Sequence, residues 1–266
     1  MDYRGKRIII TGGSTGIGLE MARELSRRGA RLGLIARTPE ALEAAAAICR
    51  EAGGEAHWAS ADVTDAAALG DALAALVDTL GGLDGIVANS GYCHPGNFHD
   101  ISIEDGARQL DTNLKGCVHT VRLALPRLLE HGGFVAITSS PAGNAAIYGF
   151  SLYGATKAAL NSLAHALHHE YADRGIRIHL LLPPDSDTPG YAKETLLYPP
   201  ETKAILSGGA LLQPDHVAMR FVDGIARGQR QIAVGFETHL LLRMIRHTPW
   251  LWEWYSRRQI RRARRG

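Results

Sequence analysis

The chain is short of cysteine, of long apolar runs and of net charge, and each shortage closes off a class of explanation. Only three cysteines occur in 266 residues, Cys49, Cys93 and Cys117. Their number is odd and their spacing wide, so no disulfide framework and no Cys-based zinc or redox spacing is present. The expectation is reduced thiols in a cytoplasmic compartment. No run of about 18 apolar residues occurs, which argues against a conventional spanning helix. Met1 to Lys6 leads directly into an apolar strand, without the apolar core of a signal peptide. No internal repeat and no linker divides the chain.

The net charge is only +2, but it is unevenly placed. Residues 243–266 hold eight Arg against the single Glu253, a local +7 that leaves the remainder at −5. A basic tail on a mildly acidic body points to a polyanion partner. Three of the four tryptophans, Trp250, Trp252 and Trp254, lie just before the Arg cluster. Trp favours a bilayer interface and Arg favours anionic headgroups. Residues 236–266 are therefore read as a tail that anchors peripherally on a membrane surface, on the cytoplasmic side. A subunit contact or a wall of the substrate pocket are the competing readings. Nucleic acid is not expected as a partner, because no recognised fold motif accompanies the basic run.

The chain is 45% apolar and 21% charged, a composition that supports a full buried core. Short β-branched runs alternate with helical patterns. Strands are expected at 7–11, 31–36, 56–60, 85–88, 133–138, 176–182 and 231–234. Helices are expected at 17–28, 40–51, 66–80, 103–130 (one or a pair), 151–173 and 214–228. This alternation predicts α/β architecture, a doubly wound parallel sheet with helices on both faces, forming a single domain over 1–235. Regularity breaks at 183–213, a Pro-, Gly- and Thr-rich stretch long enough to serve as a substrate loop or lid.

Between the first strand and first helix stands Thr11-Gly-Gly-Ser-Thr-Gly-Ile-Gly18. Glycines there let the backbone turn sharply and approach a pyrophosphate, and the helix that follows offers free N–H groups and a positive dipole end. The cofactor residues expected from this turn are Gly12, Ser14, Thr15, Gly16, Ile17 and Gly18. Strand two ends Ile35-Ala36-Arg37, without the carboxylate that would bind ribose hydroxyls and repel a 2′-phosphate. Arg37 can pair with that phosphate through its planar fork, which predicts NADPH as the cofactor.

A hydride from such a cofactor can reduce a carbonyl only with a proton donor and stabilisation of the developing alkoxide. Tyr153 and Lys157 are four residues apart and share a helix face. A nearby ammonium would lower the tyrosine pKa from its usual value of about 10. Ser140 closes strand five and could polarise a substrate oxygen. It is not expected to be a nucleophile, because no Gly-x-Ser-x-Gly elbow surrounds it. His165 and His169 have metal-compatible spacing, but with no third ligand the expectation is a surface or subunit contact, and no metal.

Taken in order, these motifs resemble the short-chain dehydrogenase/reductase family over about residues 5–235, and the resemblance implies a Rossmann-type fold. It implies that Asp62 and Val63 meet the adenine, and that Asn89, in Asn89-Ser90-Gly91, and Thr188 meet the cofactor. It also implies a catalytic set of Asn113, Ser140, Tyr153 and Lys157, in which Lys157 bonds the nicotinamide ribose and Asn113 holds a water leading to solvent. A homo-oligomer, dimer or tetramer, is the family-level expectation.

The run Pro183-Pro-Asp-Ser-Asp-Thr-Pro-Gly190, with Gly149-Phe150 before Tyr153, resembles the 3-ketodihydrosphingosine reductase branch. That likeness implies a small, lipid-like substrate, the ketone of a long-chain sphingoid base. Asp185 and Asp187 would then either clasp its ammonium, or cap a lid helix or solvate the loop. A reductase of another lipid-like ketone, steroid or 3-oxoacyl, and a non-catalytic NADPH-binding scaffold at a membrane are the competing functions.

Overall fold

A computed structural model describes residues 1–265. Seven strands form one sheet: β1 (Arg7–Thr11), β2 (Arg31–Ala36), β3 (Glu55–Ser60), β4 (Gly85–Ala88), β5 (Gly133–Thr138), β6 (Ile176–Leu182) and β7 (Gln231–Ala233). Their order is β3-β2-β1-β4-β5-β6-β7, and every pairing is parallel. The direction of winding reverses between β1 and β4. Ligands of open α/β sheets bind in the crevice beyond the strand C-termini at such a point.

The helices joining them are α1 (Gly16–Arg27), α2 (Pro39–Glu51), α3 (Ala66–Leu80), α4 (Ile103–Leu110), α5 (Gly116–His131), α6 (Ser151–Tyr171), α7 (Pro189–Thr195), α8 (Pro200–Leu206) and α9 (Pro214–Ala226). Two more close the chain, α10 (Phe236–His247) and α11 (Pro249–Ala263). The strands read as continuous apolar runs because both of their faces are covered. Ile8 and Ile10 point into one core with Met21, Leu25, Leu42 and Phe221, while Ile9 points into the other with Leu76, Val121 and Leu160. Alternate residues of one strand thus serve opposite layers.

One expectation is corrected. The stretch 183–213 is not irregular throughout, since α7 and α8 fold within it, each with proline in its first turn. Of the two forms expected for 103–130, one helix or a pair, the chain adopts the pair, α4 and α5, joined through a π-helical turn at Asp111–Lys115 that holds Asn113. A single wide turn of this kind re-aims the side chains it carries and is common at functional sites.

Candidate active site

The turn after β1 is built for a close ligand. Gly12 and Gly16 have φ of +67° and +57°, left-handed backbone that favours glycine. A Cβ at Gly18 would run into the Gly12 carbonyl and the Asn89 amide. Asn89 stitches the crevice floor together. Its Nδ2 donates to the Gly12 carbonyl at 3.2 Å, and its Oδ1 accepts from the Thr138 hydroxyl at 3.1 Å. The start of α1 has no side-chain cap and no acidic residue in its first turn. Its free N–H groups and dipole fit an anionic group such as a pyrophosphate. Thr188, from the far loop, packs against Gly16 and closes this cradle from above.

The opposite end of the crevice carries Arg37 and Asp62, following β2 and β3. The Arg37 side chain is 75% exposed, and its guanidinium lies 4.0 Å from the Asp62 carboxylate. Asp62 Oδ1 accepts from the backbone and hydroxyl of Thr64, both at 2.9 Å, which fixes its orientation. Val63 is buried in the core, so it supports the wall from behind.

Below the cradle lies a cavity of about 460 Å³. Of the residues singled out in the sequence, Gly12, Thr15, Gly16, Ile17, Asn89, Ser140, Tyr153, Lys157 and Thr188 line it. Ser14, Gly18, Arg37, Asp62, Val63 and Asn113 do not.

Tyr153 and Lys157 project from the buried stripe of α6 that continues through Leu160, Ala164 and Leu167. The Lys157 ammonium donates to the Thr138 carbonyl at 3.0 Å and lies 5.5 Å from the centre of the Tyr153 ring. Lys157 is 4% exposed, and burial pushes its pKa down to about 8. Ser140 faces the Tyr153 hydroxyl, and its own Oγ accepts from the Ala142 amide at 3.2 Å. The neighbouring Ser139 is structural, its hydroxyl lying 3.0 Å from the Lys157 carbonyl and 2.7 Å from Asn161 Oδ1, which share its one proton.

The expected lowering of the Tyr153 pKa is corrected. Burial holds that hydroxyl well above the usual tyrosine value, with only the Ser140 hydrogen bond opposing. In the free protein the desolvation of the phenolate outweighs any help from the ammonium.

Asn113 is fully buried behind this set. It clamps the Tyr92 backbone in both directions, accepting from its N–H at 2.9 Å and donating to its carbonyl at 2.8 Å. Its amide is also 3.3 Å from the Thr156 hydroxyl. These bonds hold the segment after β4, whose Gly91 lies beside the Lys157 ammonium.

The lid brings residues that sequence spacing did not link. Thr188, not Asp185 or Asp187, caps α7, accepting from the Tyr191 amide at 3.1 Å. Asp187 is exposed, whereas Asp185 lines the cavity. Glu194 reaches the same cavity, accepting from the Tyr198 hydroxyl at 2.7 Å and hydrogen-bonding Cys93. Phe150 packs edge-on against Tyr153 at 5.6 Å and also touches Tyr198. Burial raises the pKa of both Asp185 and Glu194. Only the i,i+4 spacing of Glu194 and Tyr198 was visible in the sequence.

The tail lies on this lid. α11 packs along α8. Trp252 Nε1 donates to the Ala146 carbonyl at 3.0 Å, and Arg264 pairs with Glu201 at 2.9 Å. Trp250 and Trp254 remain 67% and 54% exposed. His165 and His169 sit exposed on α6.

Comparison with known proteins identifies the family. The profile described as short chain dehydrogenase matches residues 6–196. A 3-dehydrosphinganine reductase of Arabidopsis thaliana is 35% identical, over 89% of this chain and 72% of its own. A 3-ketodihydrosphingosine reductase of Bos taurus is 30% identical, over 89% and 73%. Among solved structures, a short chain dehydrogenase of Mycobacterium paratuberculosis bound to NAD superposes with a TM-score of 0.78. It is 25% identical, with 88% of this chain and 97% of that one covered.

Proposed function

The chain belongs to the short-chain dehydrogenase/reductase family, and from that premise we propose that it reduces 3-ketodihydrosphingosine to dihydrosphingosine with NADPH. It is an oxidoreductase with a nicotinamide cofactor and a small-molecule substrate. The observation that carries the finer reading is the convergence of Tyr153, Ser140 and Lys157 on one cavity beneath the glycine cradle, walled by the Pro183–Gly190 loop. The likeness to sphingoid-base reductases supports the choice of ketone.

When bound, the reduced nicotinamide supplies the hydride. Gly12, Thr15, Gly16, Ile17 and Thr188 would hold its pyrophosphate, and Asn89 keeps the cradle in shape. β2 ends without a carboxylate of its own, and Arg37, now 4.0 Å from Asp62, would meet the 2′-phosphate, which favours NADPH. The Ser140 hydroxyl hydrogen-bonds the ketone oxygen and polarises it. The Tyr153 hydroxyl, kept protonated by its burial, gives its proton to that oxygen as alkoxide charge develops. The buried Lys157 ammonium then stabilises the tyrosinate left behind. The positively charged tail with two exposed tryptophans supports peripheral association with the cytoplasmic face of a membrane, where such a substrate would reside.

The test is cofactor oxidation by the purified protein, with NADPH and NADH, on 3-ketodihydrosphingosine, a 3-ketosteroid and a 3-oxoacyl thioester. The expected result is NADPH-dependent turnover of the sphingoid ketone, at least tenfold more efficient than of the others. Preference for either competing ketone would overturn the substrate assignment, and preference for NADH would overturn the cofactor assignment.

A further inference from the structure

We propose that Asp185 and Glu194 form a cation subsite that recognises an ammonium on the carbon beside the reacting carbonyl. The inference deepens the reductase reading and rests on it. It makes the two carboxylates specificity residues for an α-amino ketone.

Both side chains line the same cavity as Tyr153. Among the described residues, nothing donates a hydrogen bond to the Asp185 carboxylate, and no cation pairs with either residue. Glu194 has the Tyr198 hydroxyl and Cys93 as neutral partners. Lys157 and Lys193 also line the cavity, but among the described residues neither forms an ion pair with these carboxylates: Lys157 donates to the Thr138 carbonyl, and Lys193 is exposed at the rim.

Two carboxylates partly sheltered from water and left without an ion pair are costly, because desolvation and repulsion oppose their charge. Consistent with this, burial raises both pKa values, and at Glu194 the Asp185 charge adds to it while the Lys157 ammonium opposes it. Asp185, Glu194 and Tyr153 line one cavity, so a cation held by the two carboxylates lies near the carbonyl that Tyr153 serves.

A further observation points to a ligand rather than to an acidic patch alone. The exit is apolar: Leu197 lines it at 49% exposure and Leu196 beside it is 81% exposed, which suits the alkyl chain of a long-chain amine.

The experiment separates binding from turnover. Binding of dihydrosphingosine, and of its uncharged N-acetyl derivative, is measured by calorimetry on NADPH-loaded wild type, Glu194→Gln and Asp185→Asn. The expected result is at least roughly tenfold tighter binding of the free amine to wild type, with that margin lost in either variant. Equal binding of the two ligands to wild type, or equal weakening of both in the variants, would overturn the subsite. In parallel, wild type and variants are assayed on 3-ketodihydrosphingosine and on the same ketone lacking the amine. Each variant should lose roughly tenfold in kcat/KM on the amino ketone and stay within about threefold on the other. Amine-selective binding without turnover of either ketone would uphold the subsite and overturn the reductase reading alone.

Discussion

The ammonium of Lys157 donates to the carbonyl of Thr138 at 3.0 Å, tying the middle of α6 to the last residue of β5. This bond holds a cation inside the protein, next to the proton donor. Burial lowers the Lys157 pKa to about 8, so its charge is lost within an accessible range.

A pH dependence follows from that value. Below about pH 8 Lys157 is charged, and above it the ammonium is lost, while burial keeps Tyr153 protonated throughout. The kcat/KM for ketone reduction, which reports groups of the free protein, should stay level from about pH 6 and fall as pH rises through about 8. A profile still level at about pH 9.5 would refute it. The same shift implies that folding stability rises with pH between about 8 and 10.5, where the unfolded chain still binds the proton that folded Lys157 has released.

Tyr153→Phe removes the proton donor and keeps the ring that packs on Phe150 at 5.6 Å. Turnover should drop by about 10²-fold or more, with the dissociation constant for NADPH changed by less than about threefold. Cofactor oxidation and fluorescence titration measure the two. Retained turnover would reject the assignment.

Arg37→Ala tests the origin of the cofactor preference. The side chain is largely exposed and is not needed for packing. The KM for NADPH should rise roughly tenfold or more, while that for NADH stays within about twofold. A parallel rise for both would show that Arg37 does not read the 2′-phosphate.

The tail can be tested without unfolding it. Arg261 and Arg265 are exposed on or just beyond α11, unlike Arg264, whose ion pair with Glu201 ties the tail to α8. Arg261→Glu combined with Arg265→Glu should weaken binding to phosphatidylserine vesicles by more than about tenfold, at roughly 1 kcal/mol per basic residue near the surface. Reduction of a short-chain soluble ketone should be unchanged. Co-sedimentation and activity assays would reveal the opposite outcome, unaltered vesicle binding, which would favour a purely structural tail.

The parts legible in sequence are those governed by short-range rules. Alternating apolar runs and helical stripes reported the doubly wound sheet, because each strand must be buried on both faces. The glycine turn was readable because Gly12, Gly16 and Gly18 satisfy local demands of backbone angle and close approach. Tyr153 and Lys157 were readable because helical spacing alone puts them on one face. Tertiary packing decided the rest. Glu194, more than thirty residues beyond Lys157, enters the cavity only because α7 folds back over it, and no periodicity encodes that distance. Thr188 and not an aspartate caps that helix, a choice made by the loop's path. The raised pKa of Tyr153 is likewise a property of burial rather than of spacing. Proximity along a helix proposes a partnership, but the water excluded by the surrounding fold sets the charge that each partner carries.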